Sequence, residues 1–101
     1  MPRTLDEHLT TYAEEVISIT DSAQRLTLSN FYSTPPCKKV EMFLETAQIR
    51  FRLDGTDPTS TVGEVMNPYD RMTLTGMNDA ENFRAIRTGG TSGNLRIKYK
   101  R

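Results

Sequence analysis

The sequence predicts an all-β fold, an antiparallel β-sandwich or jelly-roll-like domain with a short N-terminal helix or extended arm. Three observations carry that expectation. Apolar and polar residues alternate over several short segments, most cleanly from Gln48 to Leu53 and from Asn94 to Lys100. Turn-forming Gly, Pro, Asn and Asp residues separate these segments at spacings of about 8–12 residues. No stretch has the length and pattern of a βαβ unit, which argues against a parallel doubly wound sheet.

The first segment, residues 1–14, reads differently from the β domain of residues 15–101. Leu5, Leu9, Tyr12 and Val16 recur at helical spacing. Thr4 and Glu7 fit a capping box, and Asp6 and Glu7 suit the positive end of a helix dipole. A surface helix is one reading. An arm that orders against a neighbour is the other.

From Val16 the period becomes two. Val16–Thr20 is a short β-branched strand closed by Asp21 and Ser22. Arg25–Ser29 alternates, with Leu26 and Leu28 on one face. Asn30–Pro36 is a loop that Phe31 and Tyr32 pin to the core edge, because two adjacent prolines cannot sit in a central strand. Lys38–Glu45 sets Val40, Met42 and Leu44 inward. Gln48–Leu53 sets Ile49, Phe51 and Leu53 inward and Arg50 and Arg52 outward. Asp54-Gly55 is a turn, 56–61 a polar loop around Pro58, and Gly63 closes it. Asn67–Asp70 is a tight turn, Arg71–Thr75 a strand, and Gly76–Asn82 a loop. Phe83–Thr88 is a strand, Gly89–Gly93 a hairpin tip, and Asn94–Lys100 the last strand, with Leu95, Ile97 and Tyr99 inward.

Composition narrows the functional classes. The chain has 101 residues, enough for one domain, with a net charge of zero. Residues 1–47 carry four basic against seven acidic side chains, and residues 48–101 nine against six, so the halves differ in sign. That polarity suits contacts among copies or with a mixed-charge protein surface, and nucleic acid is not an expected partner. Hydrophobic residues make up 36%, so the core is thin or a partner supplies part of the burial. No apolar run reaches the ~20 residues of a membrane helix, and no signal peptide is expected.

No catalytic, cofactor or metal site is expected. Cys37 is the sole cysteine and His8 the sole histidine, which removes thiolate and multi-histidine metal sites. His8 lies outside the β region, where no serine triad or cysteine–histidine pair is held against it. Asp54-Gly-Thr-Asp57 lacks the repeated acids of a calcium loop and reads as an Asx-bonded turn. Gly89, Gly90 and Gly93 lack the Lys-Ser/Thr pair of a phosphate loop. Arg50, Arg52, Arg84, Arg87, Arg96 and Lys98 fall on outward positions suited to carboxylate partners. The candidate protein-interface residues are therefore Leu5, Leu9, Tyr12, Arg50, Arg52, Asp54, Asp57, Arg84 and Arg87.

Residues 45–100, with the motifs AQIRFRLDG, TDPTSTVG, MTLTG, FRAIR and LRIKY, resemble a family of small bacteriophage proteins encoded among virion structural genes. The sequence departs from that pattern at Glu64–Tyr69, which replaces a more apolar, Gly-containing link. The resemblance implies a non-enzymatic β-sandwich virion component. It is expected to be made in the host bacterial cytoplasm and to act in the virion. Its first reading is a capsid decoration or cement protein, present as a homo-oligomer or in many copies, with the major capsid protein or other virion proteins as partners. A tail, neck or adaptor protein is the second reading, and a carbohydrate-binding β-sandwich the third.

Overall fold

The computed structural model describes residues 9–32 and 35–101. Seven strands and one short helix follow in order: β1 Thr11–Ile19, β2 Lys39–Leu44, β3 Ile49–Arg52, β4 Glu64–Met66, β5 Arg71–Leu74, α1 Met77–Asn82, β6 Arg84–Arg87 and β7 Gly93–Lys100. They form two antiparallel sheets, one ordered β1-β7-β2-β5 and one ordered β4-β3-β6. The all-β expectation holds.

The sheets share one core because the inward residues of both are apolar. Val40, Met42 and Leu44 of β2 and Leu95, Ile97 and Tyr99 of β7 are buried, as are Ile49 and Phe51 of β3 and Ala85 of β6. Phe83, at the mouth of β6, stacks on Phe51 with ring centroids 5.8 Å apart. Every buried side chain among the described residues is apolar or the Tyr99 phenol. The alternation read from β2, β3 and β7 is therefore a true inside–outside pattern.

Gly93 sets how closely the crossing from β6 approaches the core. A Cβ there would lie 2.7 Å from Ile49 Cγ2 and 2.8 Å from the Ala47 carbonyl oxygen. Only a residue without a side chain fits.

Several expectations change. Leu5 and the Thr4–Glu7 capping box lie outside the described residues. Tyr12 and Val16, assigned to a helical stripe, belong to strand β1, and Thr10 pairs with Arg101 through two backbone hydrogen bonds of 3.0 and 3.1 Å. A bulge opposite Lys100–Tyr99 places Tyr12 and Ala13 together against the core side.

The strand expected at Arg25–Ser29 is not one. Gln24 makes a single bridge to Ala85, Leu26 is buried, and Leu28–Asn30 closes a 3-10 turn. Phe31 is buried as expected, whereas Tyr32 is 68% exposed. Residues 77–82 wind into α1 rather than a loop, and 64–66 form the unanticipated edge strand β4. The glycine segment 89–93 is no hairpin tip, because β6 and β7 belong to different sheets.

Candidate functional site

The loop between β3 and β4 decides which surface is free. Arg50 and Arg52 point away from the core, as expected, but residues 54–63 fold back over that outer face. Arg50 Nε donates to the Ser60 carbonyl at 3.1 Å and Nη1 to the Gly63 carbonyl at 2.7 Å. Pro58 is buried beneath the loop. Gly63 adopts φ +132°, and a Cβ there would sit 3.1 Å from both Pro58 Cβ and the Phe51 carbonyl oxygen, so the closing residue must be glycine.

The remaining arginines of this sheet are also engaged within the chain. Arg52 pairs with Asp54 at 2.7 Å. Arg84 donates to the Glu81 and Phe83 carbonyls, with Asp57 at 3.9 Å. Arg87 falls on the opposite side of β6 from Arg84, because Ala85 faces the core, and it reaches Ser92 and Asp21. Arg50, Arg52, Arg84 and Arg87 thus hold this half of the molecule together rather than stand free.

Asp54 anchors the same loop. Its Oδ1 accepts the Thr56 amide at 3.1 Å and the Thr56 hydroxyl at 2.6 Å, an Asx turn as the sequence suggests. These bonds from Thr56, with the Arg52 guanidinium, hold the carboxyl far below the usual carboxylate range. A depressed folded-state value stabilises the loop at every pH above the ordinary aspartate pKa of 3.8, and the contribution fades as pH falls below it. In an NMR titration the Asp54 carboxyl carbon is expected to stay at its ionised shift at about pH 3, where an unperturbed aspartate is mostly protonated. In Thr56→Ala the titration should return toward the ordinary range; an unchanged midpoint would remove Thr56 as the cause.

A second polar cluster ties β1 to the 3-10 turn. The bulge in β1 sets Glu15 on the inner side, opposite Ile97. Glu15 accepts from the Tyr99 hydroxyl, from Thr27 Oγ1 at 2.7 Å and from Asn30 Nδ2 at 3.4 Å. Tyr12 donates its hydroxyl to the Asn30 carbonyl, and the Arg101 guanidinium lies 4.3 Å above the Tyr12 ring. Tyr12, offered as an interface residue, therefore braces the fold, and Leu9 is half-buried beside it.

Burial, then the Glu15 carboxylate, pushes the Tyr99 phenol well above its ordinary value of 10.0. A raised folded-state value gives stability that is full below about pH 10 and is lost as pH rises beyond it. Tyr99→Phe removes a bond to a charged acceptor and should cost about 2 kcal/mol in urea unfolding at neutral pH. It should also flatten the alkaline loss of stability; a variant as stable as the parent would show that Glu15 is satisfied without the phenol.

No family model, curated protein or solved structure is matched by this chain. What the surface can do rests on its own geometry. Among the described residues no group of three or more His, Cys, Asp or Glu side chains is placed to hold a metal ion, and no helix is long and apolar enough to cross a membrane. Cys37 is buried, with its thiol directed at the Lys39 carbonyl.

Among the described residues, no loop covers the outer face of the four-stranded sheet as residues 54–63 cover that of the smaller one. Its register aligns Val16, Arg96, Phe43 and Arg71 in one row across all four strands, with Glu14, Lys98, Glu41 and Thr73 in the next. The row was not legible from the sequence, because β1, β7, β2 and β5 are not consecutive in the chain. A groove of about 340 Å³ lies over Phe43 between Arg71 and Arg96. The Arg71 guanidinium sits 4.5 Å from the Phe43 ring centre, and the Tyr69 ring centre lies 6.2 Å from it.

Tyr69 is 74% exposed and holds φ +72°. A bulky residue rarely adopts that conformation. The turn imposes it. Asp70 Oδ2 accepts the Asn67 amide at 2.8 Å, the Asp70 amide donates to the Asn67 carbonyl at 3.0 Å, and the Tyr69 amide donates to Leu44 at 2.6 Å. Tyr69 and Tyr32 are the exposed tyrosines, and they stand at opposite ends of the larger sheet. Tyr32 follows Phe31, which packs on Tyr99, whereas Tyr69 is bonded to Leu44. They do not form the paired aromatic platform that the carbohydrate reading needs.

Proposed function

We propose that this protein is a non-enzymatic structural component of a bacteriophage particle, acting as a capsid decoration or cement protein. The observation that carries the reading is the outer face of the four-stranded sheet, which no loop of the described residues covers. There exposed Val16, half-buried Phe43 and exposed arginines stand together on a rigid β scaffold. The resemblance of residues 45–100 to small virion proteins supplies the setting.

The physical logic is multivalent. A surface of this size gives a weak single contact, but many copies on a regular lattice convert weak contacts into a stable shell. The partners are then the major capsid protein or other virion proteins, and the working location is the virion.

The test compares particles with and without the protein. Particles lacking it should release their genome at a lower temperature, and adding the purified protein back should restore the original value. Equal release temperatures at full occupancy would sink the cement role. Labelling confined to the tail or neck in electron micrographs would move the protein to that part of the particle.

A further inference from the structure

The geometry points to the Arg71–Phe43–Arg96 row as the docking site for an acidic protein segment, one that sets carboxylates on the two guanidiniums and an apolar side chain on the ring. The inference rests on the proposed virion role only for the source of the partner. The site itself follows from register, charge and exposure.

The row holds two cations and no acid. Among the described residues its one carboxylate partner is Glu45 on Arg96, whose Nε and Nη2 donate to the two carboxylate oxygens at 3.3 and 3.4 Å. Both side chains of that pair are substantially exposed, at 47% and 33%, so exchanging Glu45 for an incoming carboxylate costs little. Arg71 lays its guanidinium over the face of Phe43, and among the described residues no carboxylate pairs with it. The groove itself is of mixed charge: Lys98 adds a third cation from the adjoining row, beside Glu41, and Glu45 lines the groove as well.

Phe43 supplies the apolar centre. It packs with Arg71 and with the strained, exposed Tyr69. Backbone strain of this kind persists where the surrounding structure over-determines it, and it clusters at binding surfaces. Arg71 and Arg96 stand two strands apart, roughly 10 Å, a separation spanned by acidic residues two or three positions apart in an extended segment.

The other face offers no comparable site, because Arg50, Arg52 and Arg84 are bonded to carbonyls and carboxylates of their own chain. The three cations of the groove exceed its two acids, and among the described residues Arg71 has no carboxylate partner, which favours this face and an acidic occupant.

The test uses the full chain and a short labelled peptide built from Glu, Leu and Gly, with its Gln-for-Glu counterpart as control. The acidic peptide should bind in a salt-dependent manner and shift the amide resonances of Phe43, Arg71 and Arg96. The double variant Arg71→Glu/Arg96→Glu should weaken binding by roughly tenfold or more while keeping the parent spectrum elsewhere. Arg52→Glu on the covered face should bind like the parent.

Three results would overturn the proposal: no binding up to millimolar peptide, binding equal for the Gln peptide, or binding unchanged by the double reversal. Binding of heparin or single-stranded DNA without peptide binding would overturn it in favour of a polyanion that is not protein. Presence of the protein on purified particles is scored separately. A particle-bound protein that ignores the peptide fails here and leaves the virion role standing. A peptide binder absent from particles does the reverse.

Discussion

Phe83→Ala is expected to remove about 4 kcal/mol of stability, the full cost of emptying a large aromatic site in a core that cannot collapse around it. Phe83 is 1% exposed and stacks on Phe51 across the narrow three-stranded sheet. Its neighbours are fixed from both directions. Ala85 is held by two backbone bonds to Gln24 at 2.8 and 2.9 Å, and the Phe83 amide closes α1 onto the Ala80 carbonyl. Neither can move inward to fill the space. In urea the midpoint should fall sharply with little change in slope. Since a domain of this size has a total stability of about 5–15 kcal/mol, the variant should stand close to unfolding at 37 °C. A loss below about 1 kcal/mol would show that Phe83 is not part of a close-packed core.

Gly93→Ala comes second, and the cause is opposite: one methyl too many. The added carbon would press on Ile49 Cγ2, the Ala47 carbonyl and Leu44 Cδ1 at 2.7, 2.8 and 3.1 Å. Two of the three belong to buried residues of facing sheets, and the third is backbone, so none yields cheaply. Overpacking of this kind should cost about 3 kcal/mol. Gly89→Ala is the matched control, because a carbon added there meets nothing within 4 Å. It should leave stability within about 0.5 kcal/mol of the parent. Equal effects at the two positions would refute the steric account.

The comparison between these glycines shows where sequence reading stops. Both belong to one flexible-looking stretch, Gly-Gly-Thr-Ser-Gly, that reads as a hairpin tip. Nothing local reveals that the chain passes from one sheet to the other there, or that its last glycine is wedged into the core.

Strands β2, β3 and β7 were legible because each has one face buried and one wet, which writes a period of two into the residues. The segment Arg25–Ser29 shows the same period without being a strand. Leu26 and Leu28 both turn inward from an irregular segment that the Glu15 cluster holds in place. The start of β1 misled for a different reason. Tyr12 and Val16 stand four apart, the spacing of one helix face, but the bulge turns Tyr12 to the core side while Val16 faces out, and no local pattern announces a bulge. Helix α1 is too short to show any period.

For the surface, alternation correctly sent Arg50 and Arg52 outward, but outward proved not to mean free. Pro58 and Gly63 were visible as loop features, yet the return of that loop onto the arginines is a long-range event. Likewise, Arg96, Phe43 and Arg71 come from strands that meet only through the sheet order.

That sheet order has a kinetic consequence. β7 lies between β1 and β2 and follows both in the chain, so Thr11 finds its partner in Lys100 across nearly the whole sequence. During synthesis the two parts of the larger sheet stay apart until β7 has emerged: β1 waits without a partner strand, and β2 has only β5 beside it. Folding dominated by such distant pairings is slow, on the order of milliseconds to seconds. Binding sites built on this sheet come into existence only after β7 is inserted, so a nascent chain cannot engage its partner early.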